Sequence, residues 1–254
     1  MMAPFPVAAE AFAVLLVFVR LGTAVAFLPG FSAAYVPTRL RLLLALLLSA
    51  LVAPALAGVL PPMPASPAAL ALLLAGEATV GLFLATAVRI AFAALQIAGT
   101  TIAFLGSFAN ALVQDPIVDQ QSSAIGGFFT TLGVVVVFAA DLHLVMLRAL
   151  VDSYATFLPQ AGPPVGDFAA VVARAVADSF ALGVQLAAPF IIVSLVYNVG
   201  MALLGRLVPQ LQVFFFGLPL QLGLQIWVMA LTLSGIMLVF VAHFGRVLAT
   251  VAGG

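Results

Sequence analysis

Charged side chains are too scarce in this sequence to cover the surface of a water-soluble globule. Eight arginines and eight acids make up 6% of the 254 residues, and 65% of the residues are apolar. Soluble domains average about 25% charged residues, because a folded chain in water needs polar groups at its surface. The composition therefore predicts an integral membrane protein.

The same composition excludes several classes of function. There is no lysine and no net charge, which removes the basic footprint of a nucleic-acid-binding protein and the lysine of a phosphate-binding loop. There is no cysteine, so disulfides and thiol catalysis are excluded. His143 and His243 lie far apart, and neither has neighbours at metal-ligand spacing. We expect no enzymatic activity, no cofactor, no metal and no nucleic-acid partner.

About six apolar segments approach or exceed the roughly 20 residues that cross a bilayer as a helix. They cover residues 5–28, 42–60, 68–88, 124–150, 168–204 and 214–248. We read the first as a retained helix, expect Pro54 to kink or end the second, and expect Pro189 to break the fifth. The predicted fold is an all-α membrane protein of about six long, partly kinked helices in hairpins. With no repeat at a fixed period and no linker, residues 1–254 are expected to form one domain.

Residues 99–116 are apolar but contain several Gly, Ser, Thr and Asn residues. This composition fits a re-entrant or pore-occluding loop after the third helix, because irregular backbone at membrane depth must be buried in protein or face a cavity. The alternative is a third helix that continues past Arg89.

Ionisable residues inside apolar segments are costly in a bilayer. Arg20 and Glu77 have no oppositely charged neighbour nearby in sequence, so each needs a partner on another helix or another subunit. A role in a substrate path is the alternative. Two other pairs, Arg148 with Asp152 and Arg174 with Asp178, are spaced for local pairing on a helix. The distribution of arginines does not decide the membrane orientation.

Taken in order along the chain, a set of residues resembles the R-type subunit of the flagellar and type III secretion export gate (the FliR/SctT family). The set comprises Arg20, Pro29, Pro37, Arg39 and Arg41; Gly76-Glu77; Gln96, Ala98 and Gly99; Gly106; Asp115-Pro116; His143 and Ser153; Ala187-Ala188-Pro189; Asn198 and Gly200; the string Arg206-Leu-Val-Pro209-Gln210-Leu-Gln212-Val-Phe214; and Gly217-x-Pro219. Two details depart from the family pattern, since Ser107 shifts an aromatic residue by one position and Asp141-Leu142 stands where a glycine often precedes the histidine.

The resemblance implies a channel-forming and assembly subunit in the bacterial inner membrane, within a flagellar basal body or an injectisome base. The implied partners are P-type and Q-type gate subunits, B-type and A-type export components, unfolded export substrates and membrane lipid. It also implies a P-type-like part, about residues 1–165, joined to a Q-type-like part, about residues 166–254. The alternative function is a stand-alone secondary transporter that uses Glu77, Asp115 or Asp141 as a coupling group.

Two sets of site residues follow from the resemblance. A plug that narrows the closed channel would comprise Gly106, Ser107, Phe108, Ala109, Asn110, Leu112, Asp115 and Pro116. Residues of subunit interfaces and assembly would comprise Arg20, Glu77, Arg206, Pro209, Gln210 and Phe214.

Overall fold

The computed structural model describes residues 6–106, 124–159, 162–207 and 213–251. These ranges contain seven α-helices and no strand, so the predicted all-α class is confirmed. The helices are α1 Pro6–Phe27, α2 Thr38–Val52, α3 Pro67–Leu105, α4 Ala124–Ala139, α5 Leu142–Thr156, α6 Val165–Leu207 and α7 Val213–Val251.

Most of these helices are long and apolar enough to cross a membrane. Five qualify by length and composition, and a sixth span results if the bent pair of α4 and α5 counts as one. Helices α3, α6 and α7 contain 39, 43 and 39 residues, which is about 60 Å at 1.5 Å per residue. That length is about twice the hydrocarbon thickness of a bilayer.

Prolines end one helix but not the others. Helix α2 ends at Val52 and a 3-10 turn, Ala53–Leu56, contains Pro54, which confirms the predicted stop. The break predicted at Pro189 is wrong, because α6 continues through it, as α7 does through Pro219. A proline removes a single backbone donor, and neighbouring groups in a membrane helix can satisfy the freed carbonyl.

Two further boundaries differ from the sequence segments. Helix α3 continues past Arg89 to Leu105, so the continuous-helix alternative holds for residues 99–105. The fourth apolar segment is two helices that meet at an angle of 77°. Asp141, at the break, has a left-handed backbone with φ of 56°, a conformation that cannot continue a right-handed helix and that aspartate tolerates better than most residues.

The chain divides into two compact units. Unit 1 comprises residues 1–91, 138–176 and 244–254, and unit 2 comprises residues 92–137 and 177–243. In unit 1, the rings of Phe83 and Phe168 stack with centroids 3.9 Å apart. In unit 2, Phe92 and Phe240 pack edge to face at 5.2 Å. The division at about residue 165 that the resemblance implies differs from this division by contacts, and it stays a prediction.

Candidate functional site

The best-defined polar site is a buried ion pair in unit 1. Arg20 of α1 donates from Nε to Glu77 Oε2 at 2.7 Å and from Nη2 to Glu77 Oε1 at 2.8 Å. The two side chains are 0% and 1% exposed. This two-point geometry is the strongest way for an arginine to bind a carboxylate, and it neutralises both charges inside the protein.

Helix α5 and the residue after it complete the site. Arg20 Nη1 donates to Ser153 Oγ at 3.1 Å, and Nη2 donates to the carbonyl oxygen of Phe157 at 2.8 Å. The ring of Tyr154 lies under the guanidinium, with 3.8 Å between its centroid and Arg20 Cζ. Arg20 therefore holds α1, α3 and the end of α5 in one fixed arrangement. Sequence reasoning missed this role for Ser153 and Tyr154.

A glycine lets α1 and α3 approach closely beside the ion pair. A Cβ atom placed on Gly81 of α3 would collide with the carbonyl oxygen of Arg20. Gly81 is buried one helical turn after Glu77. Only a residue without a side chain can stand here while the guanidinium stays within reach of the carboxylate.

Replacing Gly81 with alanine is expected to lower the free energy of unfolding by about 1–3 kcal/mol, because the added methyl group overpacks a tight contact. Gly235 is the matched control, since it lies in α7 with no atom within 4 Å of an added Cβ. Gly235→Ala should be neutral or stabilise by about 0.5–1 kcal/mol. The measurement is the midpoint of thermal unfolding in detergent, and equal midpoints for the two variants would contradict the close approach.

The sequence left open whether Arg20 and Glu77 find partners on another helix or on another subunit. Arg20 and Glu77 find each other on different helices of the same chain. Because both side chains are enclosed, their geometry supports a role in holding the helices together. Their assignment to a subunit interface stays a prediction. Neither Arg148 with Asp152 nor Arg174 with Asp178 forms an ion pair, since Arg20–Glu77 is the salt bridge found within the described ranges.

Unit 2 contains a second close crossing, between α3 and α4. A Cβ atom on Gly99 would lie 2.5 Å from Gly126 Cα. Thr130 Oγ1 donates to Gln96 Oε1 at 3.1 Å. A Cβ atom on Gly133 would collide with the side chain of Leu95. Two of the residues that carried the family resemblance, Gln96 and Gly99, thus lie where α3 meets α4.

Polar side chains of unit 2 hold the end of α3. The carbonyl oxygen of Leu105 accepts hydrogen bonds from Gln221 Nε2 at 2.7 Å and from Ser194 Oγ at 3.3 Å. Asn198 Nδ2 donates to Ser194 Oγ at 3.2 Å. These bonds satisfy a carbonyl that has no partner within the helix. They also fix the position of Gly106, the first residue of the predicted plug, which is buried.

The other plug residues lie outside the described ranges: Ser107, Phe108, Ala109, Asn110, Leu112, Asp115 and Pro116. Pro209 and Gln210 also lie outside them. Arg206 is exposed in the last turn of α6, where a positive charge complements the helix dipole. Phe214 belongs to the first turn of α7.

Histidines and acids are scattered rather than clustered in the part of the chain that the structure describes. Among them, no group of three or more His, Asp or Glu side chains could hold a metal ion. The ring of His143 stacks on Phe138 with centroids 4.6 Å apart. Glu77 is committed to Arg20. The contacts of Arg20 and Glu77 thus support a structural role for this pair.

Comparison with known proteins places most of the chain within one family. Residues 11–247 match the family described as bacterial export proteins, family 1. The chain is 36% identical over 244 residues to the flagellar biosynthetic protein FliR of Caulobacter vibrioides, covering 96% of this chain and 97% of that relative. It is 31% identical over 208 residues to FliR of Escherichia coli, covering 80% and 77%. It is 29% identical over 160 residues to the Yop proteins translocation protein T of Yersinia pestis, covering 60% and 59%.

Proposed function

The chain belongs to family 1 of the bacterial export proteins, and from this premise we propose that it is a channel-forming and assembly subunit of a flagellar protein export gate. Membership confirms the FliR/SctT resemblance and makes the chain a membrane component of a flagellar or type III export apparatus. The observation that carries the finer proposal is the match to a flagellar relative over 96% of the chain. The Yop proteins translocation protein T of Yersinia pestis matches at lower identity, 29% over 60% of the chain, so the flagellar system is the one we propose.

The surface of the chain supports assembly with other membrane proteins. Helix α2 exposes a run of leucines, α6 exposes apolar residues along its second half, and α7 exposes Trp227 among several leucines. Long helices with apolar outer faces suit a position between sister subunits and lipid. We propose P-type and Q-type subunits as the immediate neighbours, with B-type and A-type components and unfolded substrates as further partners, in the bacterial inner membrane at the basal body.

The end of α3 supports the proposed plug. Gln221 and Ser194 hold the carbonyl of Leu105, so the chain enters residues 106–116 from a fixed point. We propose that Phe108 and Leu112 supply apolar bulk that excludes water and ions, as a hydrophobic constriction can without chemistry. Gly106, Ser107, Ala109, Asn110, Asp115 and Pro116 would complete the segment.

The remaining interface residues are proposed to act at the end of α6. Arg206 is exposed at that end, and Pro209, Gln210 and Phe214 follow it in sequence. An exposed arginine at the end of a helix can form an ion pair with a neighbouring chain. We assign this segment to assembly.

The geometry of Glu77 argues against Glu77 as the coupling group of the transporter alternative. A coupling carboxylate must exchange ions or protons with water, whereas Glu77 is 1% exposed and both of its oxygens bind Arg20. An internal salt bridge of this kind suits a fixed support better than a group that is loaded and unloaded.

The test of the proposal is a deletion strain. Removing this gene from its host should abolish swimming and lower the number of flagellated cells at least 100-fold. The reason is that an export gate that lacks a subunit cannot export flagellar proteins. Re-expression of the chain should restore swimming. Normal swimming with a loss of effector secretion would move the chain to a virulence system, and no defect in either would contradict the proposal.

A further inference from the structure

Two segments of the chain carry the same pattern of charges. Residues 141–154 and 167–180 align at one offset and agree at six of fourteen positions: Asp, Val, Arg, Ala, Asp and Ser, as Asp141, Val145, Arg148, Ala149, Asp152 and Ser153 in the first copy. A single pair of copies gives no periodic signal, so it is compatible with the absence of a repeat at a fixed period. The pair contains six of the sixteen charged residues of the chain.

The first copy presents its charges outward. Asp141 precedes α5, and Arg148 and Asp152 follow along that helix, all three exposed. Ser153, the next residue, is 0% exposed and binds Arg20. Residues seven and eleven positions apart return to nearly the same side of a helix. The three charges therefore line one outer side of α5.

The second copy has the same orientation. Asp167 lies in the first turn of α6, and Asp167, Arg174 and Asp178 are exposed. Ser179, like Ser153, is buried. Both copies thus start with an acid at the beginning of a helix, where the helix dipole favours it, and both continue with an outward Arg-x-x-x-Asp.

The six charges are not neutralised within the part of the chain that the structure describes, where the salt bridge is Arg20–Glu77. Arg174 Nε donates instead to the backbone oxygen of Ala170 at 3.4 Å. An arginine placed four residues before an acid is the less favourable order for pairing along one helix. Each of these charges therefore needs water or another molecule as its counterpart.

Lipid is a poor counterpart for either copy. A charge in the lipid core costs about 2.5–3.5 kcal/mol on insertion scales, and α6, at 43 residues, is long enough to keep its first turns outside that core, in water or against another protein. Four aspartates against two arginines leave the copies net negative, which disfavours anionic headgroups as well. Alternating signs at fixed spacing, by contrast, suit a protein partner, since complementary charges set the register of an interface.

We propose that the outward charges of α5 and of the first turns of α6 form two docking surfaces, each for a helix of a neighbouring protein chain that carries basic side chains opposite Asp152 and Asp178. The proposal rests on the assembly role proposed above and adds to it a location and a partner chemistry. The buried serine of each copy fixes which side of the helix faces out.

Charge reversal tests the surfaces. Asp152→Arg with Asp178→Arg should reduce the recovery of P-type and Q-type chains with the tagged protein at least tenfold, and swimming of the complemented deletion strain with it. Asp152→Glu with Asp178→Glu keeps the charges and is the matched control, which should recover at least half of the wild-type amounts. Reversal variants that assemble and swim within twofold of wild type would overturn the proposal. The wild-type chain is tested in the same strain. If it does not restore swimming, the proposed function fails; if it does and the reversal variants swim equally well, only the docking surfaces fail.

A labelling experiment covers the case in which the reversed chain does not accumulate. The chain has no cysteine, so Asp152→Cys carries the one thiol. A charged maleimide should react with it at least tenfold more slowly in the assembled complex than in the chain expressed without its partners, both in the same detergent. Detergent replaces lipid in both samples. A slower reaction in the complex therefore means that a protein chain, and not lipid, shields residue 152. Equal rates, whether fast or slow, would overturn the proposal.

Discussion

Replacing Glu77 with alanine is expected to destabilise the protein by about 3–5 kcal/mol, because the guanidinium of Arg20 is left buried without a counter-charge. Arg20 is 0% exposed, so water cannot take the place of the carboxylate unless unit 1 opens. Ser153 and Phe157 would still accept two hydrogen bonds, but neither carries a negative charge. The measurement is the midpoint of thermal unfolding in detergent, together with the amount of folded chain in the membrane fraction.

A double variant separates charge from packing. Arg20→Met with Glu77→Leu removes both ions and keeps apolar volume, so it should lose less stability than Glu77→Ala alone, since apolar replacement of a buried ion pair is often neutral. The loss of stability for Arg20→Lys is expected to lie between those of the double variant and Glu77→Ala. An ammonium group cannot bind both carboxylate oxygens in the planar geometry of a guanidinium. A loss under 1 kcal/mol for Glu77→Ala would contradict the assigned role of the pair.

Deleting residues 106–112 is expected to open the assembled gate to ions, with at least a tenfold rise in conductance across a bilayer. The segment follows Leu105, whose carbonyl is held by Gln221 and Ser194, and it contains the apolar bulk of Phe108 and Leu112. A hydrophobic constriction blocks ions because they would have to shed their water, so its removal abolishes the barrier.

The control for this deletion keeps the length and removes the bulk. Seven Gly and Ser residues in place of residues 106–112 should also leak, whereas Asn110→Ala, which leaves both large apolar residues, should not. Each complex is first checked by size-exclusion chromatography to show that it contains all its subunits. Conductance within twofold of the wild-type gate for the deletion would contradict a plug in this segment.

Much of the fold follows from the sequence because membrane helices leave a strong signal. Long apolar runs predicted nearly all of the helical spans, and the cost of a buried charge singled out Arg20 and Glu77 before any contact was known. The end of α2 just before Pro54 followed from the missing backbone donor. In each case one local property, apolar length, charge or a lost N–H, decides the outcome.

What the sequence did not predict depends on contacts between distant residues. The break at Asp141 needs a left-handed backbone that composition alone does not reveal. Whether a membrane helix continues through a proline such as Pro189 depends on the groups packed around it. The role of Gly81 depends on how closely α1 crosses α3. The hydrogen bonds of Gln221 and Ser194 to Leu105 join positions 116 and 89 residues apart, which no local pattern encodes.

The most direct test of the account is the mass of the native particle that contains this chain. The tagged protein is extracted from membranes of its host in a mild detergent and measured by native mass spectrometry. We expect a complex that contains this chain together with P-type and Q-type subunits, with single-chain particles as a minor species. A monodisperse particle with the mass of one chain, stable and folded on its own, would contradict the claim that this protein is one part of a multi-chain export gate.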